Sequence, residues 1–154
     1  MDITIRSATV NDAKRIHTAV NGYAAEGLML PRSISAIYDS IPFYFIAECG
    51  GAFAGCAALQ VIWEDLAEIR SLAVLKDFTG RGAGTTLTRT CLDYAKELAV
   101  KRIFVLTYIP EFFKKLGFVD VSKDTLPHKV WAACVNCPKF PECGEVPLIK
   151  ALEG

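Results

Sequence analysis

Leu72-Ala73-Val74-Leu75-Lys76-Asp77-Phe78-Thr79-Gly80-Arg81-Gly82-Ala83-Gly84 runs from an apolar strand through three alternate glycines into a helix. Glycine admits positive φ and lets a backbone approach a ligand closely. Unpaired N–H groups at the start of a helix bind phosphate oxygens. A bound pyrophosphate is therefore the physical expectation. A glycine-rich turn with no ligand is the alternative. The stretch is not a P-loop, since no Lys-Ser or Lys-Thr follows the glycines, and it lies after antiparallel strands rather than in a dinucleotide-binding unit.

The flanks set the fold. Upstream, Phe43 to Glu48, Phe53 to Trp63 and Leu66 to Val74 are rich in β-branched and aromatic residues. Gly50-Gly51 and Glu64-Asp65 turn between them, which predicts an antiparallel meander. Downstream, Leu87, Cys91, Ala95 and Leu98 mark one face of an amphipathic helix. Arg102 to Leu106 reads as a strand. Pro110 opens a short helix through Leu116 that Gly117 ends, and Phe118 to Val121 reads as a strand.

At the start of the chain, Ile3 to Arg6 alternates as a strand does. Thr9-Val10-Asn11-Asp12 resembles a capping box. Ala13, Ile16, Val20 and Tyr23 keep helical spacing until Gly22 or Gly27. Leu28 to Arg32 is a loop stiffened by Pro31, and Ser33 caps a second helix through Tyr38. Beyond Leu126 no clear pattern emerges. The expected class is α+β: a mixed, largely antiparallel sheet flanked by helices. Residues 1–131 form the expected domain, and 132–154 a Cys/Pro-rich tail on it.

A length of 154 residues with 52% apolar and 22% charged residues suits one globular domain. Seventeen basic and 17 acidic residues balance, so no nucleic-acid surface is expected. No apolar run is long enough for a membrane span, and the N-terminus lacks signal-peptide character. A cytoplasmic location is expected. Cys49, Cys56 and Cys91 fall in apolar patterns and read as core residues.

The glycine loop resembles the pyrophosphate loop of the GCN5-related N-acetyltransferase (GNAT) superfamily, Gln/Arg-x-x-Gly-x-Gly/Ala. Gly82 and Gly84 match its small residues, while Thr79 replaces the Gln or Arg. Phe112-Phe113-Lys114-Lys115-Leu116-Gly117-Phe118 resembles the superfamily's short helix ending in Gly-Phe. The resemblance implies a splayed pair of strands that holds acetyl-coenzyme A. The pantetheine would pair with the backbone of Leu72, Ala73 and Val74, and the pyrophosphate would lie on Thr79, Gly80, Arg81, Gly82, Ala83 and Gly84. Phe113 stands near the thioester, where many relatives have a tyrosine.

An amine must attack the thioester uncharged, so a base or water relay helps. Glu68 matches the place where the superfamily often has a glutamate. Strand alternation puts Glu68, Arg70 and Leu72 on one face. Glu68 is either that base or the ion-pair partner of Arg70. Tyr108 is either the acid that protonates the leaving thiolate or a strand-end aromatic. A backbone N–H near Leu72 or Ala73 would hold the oxyanion.

Gly27-Leu28-Met29-Leu30-Pro31-Arg32-Ser33, Leu66-Ala67-Glu68-Ile69, Phe104-Val105-Leu106-Thr107 and Leu126-Pro127-His128-Lys129 look like the acetyltransferase domain of bacterial N-acetylglutamate synthases. That resemblance covers residues 3–131. It implies L-glutamate as acceptor, in arginine biosynthesis. No counterpart of the amino-acid-kinase-like domain is recognised, which leaves arginine feedback through such a domain without an expected basis. Glutamate's two carboxylates call for cations, and Arg32, Arg70 and Lys129 are the candidates. Another amine acceptor, or a coenzyme A-binding regulatory module without turnover, are the competing readings. A homodimer is compatible with the sequence.

Cys134-x-x-Cys137-x5-Cys143 has the look of a zinc site completed by His128 or His17. Reduced thiols in a proline-braced tail, or a single disulfide, are the alternatives.

Overall fold

The computed structural model of the protein describes residues 2–126 and 145–152. Its strands are β1 (Ile3–Ser7), β2 (Tyr44–Cys49), β3 (Ala52–Trp63), β4 (Leu66–Val74), β5 (Arg102–Thr107), β6 (Val119–Asp120) and β7 (Val146–Ala151). Its helices are α1 (Ala13–Ala25), α2 (Ile34–Ser40), α3 (Ala83–Glu97) and α4 (Pro110–Lys114). The strands form one seven-stranded sheet in the order β1-β2-β3-β4-β5-β7-β6. All neighbours are antiparallel except β4 and β5. The α+β class and the β2–β3–β4 meander expected from the sequence are what the chain adopts.

α1 opens as the capping box predicts. The Thr9 N–H donates to Asp12 Oδ2 at 2.8 Å. The Arg6 guanidinium grips the same carboxylate with two bonds of 2.8 Å. That forked bond, helped by the Thr9 amide, holds Asp12 well below the usual carboxylate range, at about 2, against the opposing effect of burial. The helix runs past Gly22 to Ala25, and Gly27, with φ +76°, follows its C-cap Glu26. Leu28 N–H then closes back on Tyr23 O at 3.0 Å.

The core has two main clusters, one on each sheet face. Leu87, Cys91 and Ala95 of α3 pack on Ala67, Ile69, Ile103 and Val105. Ile16 and Val20 of α1 pack with Ile37, Ile46 and Cys56 on the other face. Cys49, Cys56 and Cys91 are buried free thiols, as expected. A smaller cluster of Ile62, Leu66, Phe104 and Leu126 closes one end.

β7, for which the sequence carries no clear strand signal, lies between β5 and β6. Its Pro147 stands opposite Leu106. Proline is rare inside a sheet because it gives no ladder N–H. Pro147 still contributes through its carbonyl, which accepts from Val121 N–H at 3.2 Å.

Candidate active site

β4 and β5 pair only from Leu66↔Arg102 to Glu68↔Phe104. β4 continues to Val74 and β5 to Thr107, so the two strands part after Glu68. The splayed pair implied by the GNAT resemblance is present here. It opens toward the C-terminal ends of the two strands, where the glycine loop follows β4.

One irregularity shapes the split. The β3–β4 register passes from Ala58↔Arg70 to Cys56↔Ala73, which leaves Ser71 and Leu72 opposite Ala57. Ser71 takes φ +55°, a left-handed conformation that side chains adopt at a cost. Tyr44 is buried beside Ser71. The Cys56 thiol donates to Ser71 O at 3.5 Å. Burial pushes that thiol up to about 12, so it stays neutral.

This bulge corrects one expectation. Plain alternation places Leu72 with Glu68 and Arg70. The extra residue reverses the alternation, so Leu72 and Val74 join Ala67 and Ile69 against α3, while Ala73 packs with the α1 cluster. Tyr23 from α1 donates its hydroxyl to Val74 O at the end of the same strand.

The glycine loop follows. Lys76–Phe78 make a single 3-10 turn. The Thr79 hydroxyl donates back to Lys76 O at 2.9 Å, and the side chain is thereby held against the loop. Gly80 and Gly82 have φ +79° and +84°, and Gly82 is the N-cap of α3. Gly84 sits in a tight place for a different reason: a Cβ there would lie 3.3 Å from the Phe112 ring of α4, which would have to give by a few tenths of an ångström. Arg81 does not point freely outward. Its guanidinium carbon lies 5.7 Å from the Phe78 ring centroid, and Nη1 donates to Cys49 Sγ at 3.7 Å.

Beside the split lies a cavity of about 260 Å³. Glu68, Arg70, Ser71 and Leu72 line it from β4, Met29 and Arg32 from the α1–α2 loop, and Tyr108 and Phe113 from the far side. Glu145, just before β7, completes the wall. Glu68 is only 8% exposed and forms an ion pair with Arg70 Nε through Oε1. Burial raises its pKa, while Arg70 and then Arg32 oppose that rise. The Arg70 pairing foreseen for Glu68 is therefore real, and the carboxylate faces the cavity as well.

Arg32 is half-buried on the opposite wall. Its backbone is tied to α1: Arg32 N–H donates to Asn21 Oδ1 at 3.0 Å, and Asn21 Nδ2 donates to Arg32 O at 2.8 Å. Phe113 lines the cavity, yet most of it is core. It is 3% exposed and packs edge-on against Phe112 and Phe118 at 5.0 and 5.4 Å. Tyr108 reaches the cavity from the end of β5.

Lys129, Cys134, Cys137, Cys143 and His128 lie outside the described residues, and with them the zinc expectation. Among the described residues no group of three or more His, Cys, Asp or Glu is placed to hold a metal ion. Nor is any helix among them long and apolar enough to cross a membrane. Sequence reasoning missed Tyr23, Asn21, Tyr44, Ser71 and Glu145. Only Asn21 left a signal, as a poor helix former inside a strongly periodic helix.

The family model described as the acetyltransferase (GNAT) family matches residues 12–118. An uncharacterised N-acetyltransferase of Chlorobaculum tepidum is 40% identical over 98% of this chain and 97% of its own length. An amino-acid acetyltransferase of Mycobacterium tuberculosis is 35% identical over 77% of this chain and 69% of its own. The crystal structure of N-acetylglutamate synthase from Neisseria gonorrhoeae, complexed with coenzyme A and N-acetyl-glutamate, superposes with a TM-score of 0.90 at 27% identity. It covers all of this chain, which spans 36% of that longer one. Split sheet, glycine loop and relatives together define an acetyl-CoA-dependent N-acetyltransferase. The chain belongs to the acetyltransferase (GNAT) family.

Proposed function

We propose that this enzyme acetylates the α-amine of an amino acid, with L-glutamate the favoured acceptor, and so makes N-acetylglutamate for arginine biosynthesis. The observation that carries the reading is one cavity holding two guanidinium groups, Arg32 and Arg70, beside the buried carboxylate of Glu68. An arginine fork can grip a carboxylate bidentately, and Arg32 is the one of the two that is not already ion-paired with Glu68. The amino-acid acetyltransferase named among its relatives supports the same acceptor class.

The carrier's pantetheine lies along Leu72, Ala73 and Val74, as an added strand does. Its pyrophosphate meets the amides of Thr79 to Gly84. Glu68 takes a proton from the acceptor ammonium, directly or through one water. The free amine attacks the thioester carbonyl, and the oxyanion is held by a backbone N–H at the bulge, near Leu72 or Ala73. Collapse expels the coenzyme A thiolate, which Tyr108 or solvent protonates, and the amide nitrogen gives up its surplus proton to solvent or, through it, to the tyrosinate.

The test is glutamate-dependent release of coenzyme A, read by thiol titration, against a panel of amino acids, polyamines and peptide N-termini. Preference for glutamate supports the reading. Faster turnover of a polyamine overturns it, as does tight acetyl-CoA binding without turnover of any amine.

A further inference from the structure

The cavity's acceptor side rests on a loop, residues 26–33, whose start is tied back to α1 by backbone bonds and to Lys76 by Glu26. Gly27 follows the C-cap of α1, and Leu28 after it is 48% accessible. One residue of the loop is held at both backbone groups, and it is Arg32. The Asn21 amide accepts from Arg32 N–H at 3.0 Å and donates to Arg32 O at 2.8 Å. Its Nδ2 also donates to His17 O one turn back on α1, at 3.0 Å. Immediately after, the Ser33 hydroxyl accepts from Ala36 N–H at 3.1 Å and fixes the start of α2.

Asparagine inside a helix is unfavourable relative to alanine, and it competes with the backbone for hydrogen bonds. Here it spends both functions of its amide on a single residue eleven positions away. An isolated helix would gain nothing from that. What it achieves is to set the height and direction from which the Arg32 side chain enters the cavity, where it lies close enough to act on Glu68 and Tyr44. Pro31 on one side and the Ser33 cap on the other restrict the remaining backbone freedom.

We infer that Asn21 is a positioning residue for acceptor recognition: its side-chain amide clasps the backbone of Arg32 and aims that guanidinium at the acceptor's carboxylate. The inference rests on the acceptor reading given above. It assigns Asn21 no contact with substrate, so its effect must pass through Arg32.

That dependence makes it testable. Steady-state coenzyme A release is measured for wild type, N21A, R32A and the double variant, varying acetyl-CoA and the best amino-acid acceptor of the panel separately. N21A is expected to raise the acceptor KM about tenfold, the scale of a misaimed anchor, and to leave the acetyl-CoA KM within about twofold. The double variant is expected to match R32A alone, because the clasp has nothing to aim once the guanidinium is gone. Should N21A fold poorly, N21D serves instead: it keeps the acceptor for Arg32 N–H but sets a carboxylate oxygen against Arg32 O and His17 O, and is expected to raise the acceptor KM by at least as large a factor. Effects of N21A and R32A that multiply, or a rise in both KM values together, would overturn the positioning role and leave a structural one. An R32A enzyme with unchanged acceptor KM would instead sink the acceptor reading itself, and this inference with it.

Discussion

Gly55 has no obvious part in the chemistry, yet replacing it by alanine should disturb the site more than most active-site changes disturb the fold. It sits on β3 opposite Val74. A Cβ at Gly55 would lie 2.6 Å from Ala73 O and 3.1 Å from Val74 Cα. Ordinary contact begins at 3.4 Å, so the Ala73 carbonyl must retreat by about 0.8 Å. Backbone cannot rotate away as a side chain can, and β4 is also fastened at Val74 O by the Tyr23 hydroxyl. Overpacking of this kind costs about 1–3 kcal/mol. Alanine returns about 0.4–1 kcal/mol by restricting the unfolded chain. A net loss of about 1.3 kcal/mol follows, or about 4 °C in Tm for a domain of this size. The strand moves toward the split, where a carrier would pair, so the acetyl-CoA KM should rise about tenfold or more. Thermal denaturation and initial rates measure the two effects. A G55A enzyme that melts within 2 °C or so of wild type and keeps its acetyl-CoA KM would refute the claim that this crowding governs the edge of β4.

Other changes separate the parts of the machinery. G82A forces a side chain into φ +84° at the N-cap of α3 and should cost about 1–2 kcal/mol, with the acetyl-CoA KM raised and the acceptor KM unmoved. E68Q should lower kcat by about 10²–10⁴. Burial raises the Glu68 pKa, so the wild-type rate should climb with pH as this carboxyl loses its proton, and that limb should vanish from the pH profile of E68Q. D12N tests the Arg6 fork. Asp12 is depressed from 3.8 to about 2, so its stabilisation is fully present above pH 3.8 or so and is lost as pH falls through about 2. At pH 7 the variant should be less stable than wild type by about 2 kcal/mol, and urea titrations of the two should converge in strong acid.

Much of this molecule is legible because its signals are local. The α3 face, Leu87, Cys91 and Ala95, is set by a 3.6-residue period and is fully buried, whereas Leu98, expected on the same face, is the C-cap of the helix and 43% exposed. Three strands separated by tight turns can only pair as a meander. The glycine loop announces itself because positive φ at Gly80 and Gly82 leaves little choice of residue. What stayed hidden depends on partners distant in sequence. β7 reads poorly because Pro147 interrupts it, and only pairing with β5 and β6 makes it a strand. The bulge at Ser71 has no sequence mark, since serine is unremarkable in a strand and its neighbour Cys56 stands 15 positions away. The hydrogen bonds from Asn21 to Arg32 span a loop whose path the sequence does not specify.

The bulge and the split solve one problem between them. β4 must present apolar side chains to α3 along its whole length, and it must also aim Glu68 and Arg70 into a cavity on the other face. Strict alternation does both only while β5 covers the far edge. Past Glu68 that edge has no strand partner among the described residues, and unpaired backbone groups are costly unless something binds them. Inserting one residue at Ser71 keeps Leu72 and Val74 on the α3 core while turning the intervening backbone out of the regular ladder. The groups left without a β5 partner are those that an incoming chain of amides can take up. A fully paired, regular β4 would be the better structural strand and would offer a carrier nothing to bind.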